Sequence, residues 1–280
     1  MRERYDIMDK IIGGLESLIV ATGWETAVPK SYGPLHLSFT IIGFLLCGII
    51  SWKLRGISEK KSRVFVFSCG AFLVFLDMYK QLFYHFYVDA GEPGYTWWIF
   101  PFQLCNIAMY FCLIAPLLKK GPVQQGMYSF MMLYNLLSGG ISFLEPSGML
   151  HAYPTLTAVS LLWHLVLVFV GLFLVFSGRG GDTKKDYKLS TVTFLSLCVV
   201  AFLINIICWK PSGGTINMFF IGPANSSLFL FSDIAKNCGW YVSTAIYIPI
   251  VCLGAYLLFL LISRLIHPKM KNSGKFPSNQ

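Results

Sequence analysis

Charge is what this 280-residue sequence has least of: Asp, Glu, Lys and Arg together make up only 12 % of it. Soluble globular domains carry about twice that share, so a soluble enzyme is excluded. The 55 % of hydrophobic residues excludes a disordered chain as well. Among the eight cysteines and five histidines there is no CxxC pair and no Cys/His spacing of a metal site. Neither a metal, a disulfide framework nor any other cofactor is therefore expected. Met1 to Lys30 has no basic start followed by an apolar core and a small-residue cleavage site, so no signal peptide is expected there. The apolar stretches lack two-residue alternation, which excludes a β-barrel. There is no internal repeat, which weighs against a transporter built from inverted halves.

What the chain does have is apolar residues in blocks, with a mean hydropathy of +0.63. A bilayer core of about 30 Å needs about 20 apolar residues per helix. Seven stretches qualify: 35–53, 64–88, 98–118, 125–144, 155–177, 189–208 and 240–265. The fold expected is an all-α polytopic membrane protein, a seven-transmembrane helix bundle over 35–266. An N-terminal interfacial segment (1–34) precedes it and a basic cytoplasmic tail (267–280) follows. Within the N-terminal segment Ile7, Ile11, Ile12, Leu15, Leu18 and Ile19 recur at helical spacing. That pattern fits a short helix lying in the membrane interface or covering the bundle.

The net charge of +9 follows topology rather than a nucleic-acid partner. The first, third and fifth loops and the tail hold fifteen Lys and Arg, from Lys53 and Arg55 to Lys271 and Lys275. The opposite set holds six: Arg2, Arg4, Lys10, Lys30, Lys210 and Lys236. By the positive-inside rule the N-terminus is outside and the C-terminus cytoplasmic. The glycine- and proline-rich sixth loop (210–225) is expected to re-enter the membrane edge, where irregular backbone needs protein or water to cover it.

Polar residues inside a bilayer are costly and face the bundle interior. On this topology Cys105, His164, Asp77, Gln81 and Asn135 come from four helices to one layer, roughly 10–16 Å below the outer surface. Asp77, Lys80, Gln81, Tyr84 and His85 form a stripe along one helical face, and Asp77 and Lys80 can neutralise each other. Such a layer suits thiol–imidazole acyl transfer. A cysteine needs a base or cation beside it to become an effective nucleophile. His164 supplies the base, and Asp77, Asn135 or Asn106 would orient its second nitrogen. Gln81, Asn135 or amides near the sixth loop would stabilise an oxyanion.

Each element also has a plainer role. A buried cysteine is most often a small hydrophobe, and Cys47, Cys69, Cys112, Cys198 and Cys252 also sit in apolar stretches. An intramembrane histidine often joins helices. Gly139-Gly140 reads as a close helix contact, and Trp97, Trp98 and Trp240 as interfacial belt residues.

Four blocks carry a family resemblance. Ile99-Phe100-Pro101-Phe102-Gln103-Leu104-Cys105-Asn106-Ile107 resembles the aromatic/apolar-Pro-x-x-x-Cys signature of the YwaF-like bacterial integral membrane proteins. Tyr134-Asn135-Leu136-Leu137-Ser138-Gly139-Gly140 with Glu145-Pro146 is similar to their fourth span. Tyr153-Pro154 with Leu162-Trp163-His164 is similar to their fifth. Asn217-Met218, Pro223, Ser227 and Gly239-Trp240-Tyr241 resemble their ending. The His-Leu-Cys common in that group reads Gln103-Leu104-Cys105 here, and Asn-Tyr reads Asn217-Met218.

Those bacterial proteins resemble eukaryotic transmembrane acyltransferases that place polyunsaturated chains on ether phospholipids. More remotely they resemble androgen-induced lipid hydrolases, which use a threonine and a histidine. The resemblance implies a lipid acyltransferase or hydrolase with Cys105 and His164 catalytic. Asp77, Gln81, Asn106, Asn135 and Asn217 would support them. Its partners would be membrane lipids, with a lysophospholipid or acyl donor as substrate, and its place a cell membrane. The alternative is a non-enzymatic small-molecule transporter or receptor with a polar intramembrane pocket, in which Asp77 and Lys80 would matter more than Cys105.

Overall fold

The computed structural model describes residues 2–224, 226 and 228–266. Ser227 and the basic tail 267–280 lie outside the described residues. Nine helices run α1 (Arg2–Val20), α2 (Pro34–Leu54), α3 (Glu59–Val88), α4 (Leu104–Leu117), α5 (Pro122–Leu144), α6 (Pro154–Ser177), α7 (Lys184–Ile207), α8 (Phe231–Cys238) and α9 (Trp240–Arg264), with no strand among the described residues. Their ends follow local chemistry. Pro34, Pro122 and Pro154 open α2, α5 and α6 in the first turn, where a missing N–H costs nothing. A Thr183–Asp186 capping box opens α7. Gly178, at φ 70°, closes α6 in the left-handed region.

Six helices, α2, α3, α5, α6, α7 and α9, are long and apolar enough to cross a membrane. The seventh expected span is the exception. It begins at Leu104 rather than residue 98, and its 14 residues reach only about 21 Å. Pro101 is the reason: the residue before a proline is pushed out of the helical region. Phe100 is extended (ψ 129°), and Gln103 is extended again (ψ 161°) before the helix starts.

α5 and α6 form the centre of the bundle, each more than half buried, and α2, α3, α7 and α9 pack around them. At one end Thr22 meets Tyr79 at 2.7 Å and the Thr26 amide donates to the Ala152 carbonyl at 2.8 Å. At the other, Arg179 donates to the Ile57 carbonyl (2.6 Å) and Arg63 to that of Leu118 (2.9 Å). The loops therefore alternate between ends as the hydropathy pattern predicts. In α1, Ile19 is buried whereas Ile11, Ile12, Leu15 and Leu18 are exposed. The helix is anchored by its last turn and offers an apolar face outward, as an interfacial helix does.

Close helix contacts are made by glycine, though not wholly where the sequence suggests. A Cβ on Gly139 would lie 3.0 Å from that of Leu167 and 3.2 Å from the His164 carbonyl, while Gly140 has open space. The tightest approach to α4 is at Gly70 of α3, where a Cβ would lie 2.9 Å from both the Cys112 Cβ and the Leu113 nitrogen. Gly70→Leu is expected to cost about 1–3 kcal/mol of stability by overpacking. Gly140→Leu should stay within about 0.5 kcal/mol. Thermal unfolding of the two variants in detergent measures the difference.

Candidate functional site

The sixth loop does re-enter the bundle, and its cover is protein. Ile216, Met218 and Phe219 are fully buried. Phe219 stacks on Phe102 (5.9 Å) and on Phe194 (6.4 Å), which itself stacks on Tyr134 at 4.6 Å. Three amide side chains satisfy its backbone, as burial requires. Asn205 of α7 grips Met218, accepting from its N–H (2.6 Å) and donating to its carbonyl (3.0 Å). Gln103 donates to the Asn217 carbonyl (3.0 Å) and accepts from the Phe219 amide (2.9 Å). Asn217 closes the turn behind them, accepting from Gly222 N–H (2.7 Å) and donating to the Ala224 carbonyl (2.8 Å). Phe219 and Phe220 both take positive φ, at 56° and 58°, conformations that survive in bulky residues only when surroundings over-determine them.

This plug is held by Gln103 and Phe102, two and three residues before Cys105. The thiol belongs to the first turn of α4, one residue in rather than seven. Asn106 does not approach a histidine; its Oδ1 accepts from the Gln103 amide at 3.0 Å and caps the helix. Asn135 is buried at the last position of a wide π-turn (Met131–Asn135) in α5, and its Nδ2 donates to the Leu104 carbonyl at 3.1 Å. These contacts fix the backbone on both sides of the thiol.

His164 stands on α6, and its Nδ1 lies 2.8 Å from the Ser160 carbonyl one turn earlier. A carbonyl can only accept, so that nitrogen carries the proton and Nε2 presents its lone pair. The orienting group is thus Ser160 backbone, not Asp77, Asn135 or Asn106. Asn135 and Asn106 are committed to α4, and Asp77 faces Lys80. Cys105 and His164 form no hydrogen bond with each other among the described residues. They are joined through Trp163, the neighbour of His164. Its Nε1 donates to the Cys105 carbonyl at 3.3 Å, and Leu162, Trp163 and Val166 pack with Cys105 in one apolar cluster.

The Asp77–Lys80 pair forms as expected, at 2.8 Å, although Asp77 Oδ1 accepts no aligned hydrogen bond. Lys80 Nζ sits 5.7 Å above the Trp163 ring. The rest of the stripe diverges. Gln81 donates to the Ile99 carbonyl and accepts from the Tyr95 hydroxyl, both at 2.9 Å. Burial pushes that hydroxyl up to about 12, so it remains a donor across the neutral range. Gln81 and Asn135 are therefore scaffold rather than oxyanion donors. Gln81, Tyr84 and His85 line a cavity of about 500 Å³ with Asp89 and Glu92, and a second of about 440 Å³ lies between Trp97 and Thr215. Neither reaches Cys105 or His164.

Gln103, Asn205, Ser160 and Trp163 are the site residues that sequence reasoning missed. Asn205 alone stood out in principle, as an amide inside an apolar run.

Residues 31–261 match the model of the TMEM164 family, a transmembrane family. Neither the curated proteins nor the solved structures gave a match.

Proposed function

The chain belongs to the TMEM164 family, and from the site just described we propose that it is a membrane lipid acyltransferase. Cys105 is its nucleophile and His164 its base. One observation carries the reading: Cys105, in the first turn of a helix, is bonded through its carbonyl to the indole of Trp163, the neighbour of a histidine whose Nδ1 is tied to the Ser160 carbonyl so that Nε2 is left to accept a proton. A helix N-terminus is one of the environments that activate cysteine, and the orientation of the base by a third group follows triad logic.

The chemistry balances in two steps. In the first, Nε2 of His164 takes the thiol proton and Sγ attacks the ester carbonyl of a donor phospholipid. The C–O bond breaks, the lysolipid oxygen takes the proton from the imidazolium, and an acyl-thioester remains. In the second, an acceptor hydroxyl gives its proton to Nε2 and attacks the thioester. The C–S bond breaks and the thiolate is reprotonated. A lysophospholipid as acceptor makes the protein a transferase; water makes it a hydrolase. The plug clamped by Gln103, two residues from Cys105, supports the first, because excluding water is what separates the two outcomes.

The YwaF-like resemblance of the four motif blocks supports the same chemistry. The expected setting is a cell membrane, with the N-terminus outside, the tail cytoplasmic and the site opening toward the outer leaflet.

The test is turnover by purified protein in vesicles holding a diacyl phospholipid and a labelled lysophospholipid. His164→Ala is expected to lower transfer by about 10²–10⁴-fold, the worth of a positioned base. It should also slow alkylation of Cys105. Full transfer in His164→Ala would overturn the assignment. Saturable binding of a small solute, lost in Asp89→Asn but not in Cys105→Ala, would favour the receptor reading instead.

A further inference from the structure

The end of the bundle opposite the Gln103 clamp is strongly basic. Its loops, 53–63, 118–121 and 178–188, hold eleven Lys and Arg against three acids. Most of that excess is the solvated charge that flanks the spans of any membrane protein. Arg55 and Arg179 differ. Both are half-buried, and each lies over an aromatic ring, Arg55 Cζ at 4.1 Å from the Trp52 centroid and Arg179 Cζ at 5.8 Å from that of Phe173. Arg55 donates to the Trp52 carbonyl and Arg179 to the Ile57 carbonyl at 2.6 Å, so both guanidiniums flank the turn between α2 and α3. Trp52 in turn packs edge-on against Phe176 at 5.4 Å, which closes the seam between the ends of α2 and α6.

What sets the pair apart is charge without a counter-ion. Neither guanidinium forms an ion pair among the described residues, and Arg55 Nε and Arg179 Nη1 are buried without an acceptor. Glu59, the acid within electrostatic reach of Arg179, has its two oxygens held by Arg63 at 3.0 Å and Lys120 at 2.6 Å. Asp186 is spent on the Thr183 cap. Backbone carbonyls accept hydrogen bonds but carry no net charge, so two partly desolvated cations stand uncompensated. A planar guanidinium matches phosphate oxygens with paired N–H groups, and stacking on a ring fixes the direction of that fork. We propose that Arg55 and Arg179 form a phosphate-binding site for the headgroup of an anionic phospholipid, at the opposite end of the bundle from Cys105 and independent of the acyltransfer reading. A lipid is favoured over a soluble phosphate by place. Trp52 and Phe176 stand in the last turns of two spans, where headgroups meet helix ends.

The experiment is native mass spectrometry of the full chain in detergent, titrated with dioctanoyl phosphatidylglycerol, dioctanoyl phosphatidylcholine or inorganic phosphate. The parent is expected to retain phosphatidylglycerol about tenfold more tightly than phosphatidylcholine, or better, the scale of two basic groups at a membrane surface. Arg55→Gln with Arg179→Gln should abolish that preference. Lys60→Gln with Lys61→Gln, an equal loss of charge from exposed lysines, should leave it intact. No preference in the parent, or an equal loss in the lysine variant, would overturn the proposal. Inorganic phosphate bound as tightly as phosphatidylglycerol would overturn the lipid assignment. If the arginine double variant does not fold, phenylglyoxal labelling of the parent decides. Phosphatidylglycerol should slow modification of Arg55 and Arg179 several-fold relative to the exposed Arg264, and equal protection of all three would overturn the site.

Discussion

Cys105→Ala is expected to remove acyl transfer altogether, a loss of about 10³-fold or more in turnover. Once the nucleophile is gone, no other group in the cluster can form the covalent intermediate. Ser160 supplies only its carbonyl to His164, and Asn106 and Asn135 are held in bonds to the α4 backbone. The fold should survive the change, because a partly buried thiol contributes little more than a methyl group of packing. Cys238→Ala and Cys252→Ala are the controls. Radiolabel passing from donor phospholipid to protein in the parent, and not in Cys105→Ala, would identify the acyl-enzyme directly. Undiminished transfer in Cys105→Ala would remove the nucleophile from the mechanism.

The largest expected effect on stability belongs to a residue far from the chemistry. Asn205→Leu deletes both hydrogen bonds to Met218 and leaves its backbone N–H unpaired in the core, where Met218 is fully buried, while the carbonyl keeps only a long bond from the Ile221 N–H at 3.4 Å. An orphaned buried group costs about 1–3 kcal/mol. The thermal midpoint in detergent should fall steeply. Release of the plug should also expose Cys105, so alkylation is expected to speed up even as transfer declines. A stable Asn205→Leu protein with parental transfer would mean the loop is held by its aromatic stacking alone. Gln103→Leu removes an equivalent pair of bonds and leaves the N–H of the fully buried Phe219 without a partner, while the Asn217 carbonyl keeps a long bond from the Phe220 N–H at 3.4 Å, so its cost should be of the same order.

Much of the helical frame was legible in the chain, because length and hydropathy decide it almost alone. Spans two and five were placed within a few residues at their ends, and the Asp77–Lys80 pair follows from i,i+3 spacing on one helix. What was hidden depends on backbone. The start of α4 moved because Pro101 breaks the apolar run that composition reads as continuous. The orienting group for His164 is a main-chain carbonyl, which no side-chain pattern reveals. Asn217 was expected to support the site directly and instead ties its own loop together. The sequence points to a direct pairing of Cys105 with His164, whereas the structure has a bond from Trp163, the neighbour of His164, to the Cys105 carbonyl. That link joins two segments 58 residues apart through a backbone atom, beyond what residue spacing encodes.

The amide clamps also impose an order on biogenesis. Gln103 leaves the ribosome more than a hundred residues before its partners at 217 and 219. Until those partners arrive its amide, like that of Asn205, has no backbone to hold. The nascent bundle must therefore carry an open notch beside Cys105 through most of its insertion, and the last third of the chain closes it. Contacts of such sequence separation are slow to form. A chain that stalls before the sixth loop seats would present a bare thiol to the membrane, so completion of the fold and shielding of the nucleophile become a single event.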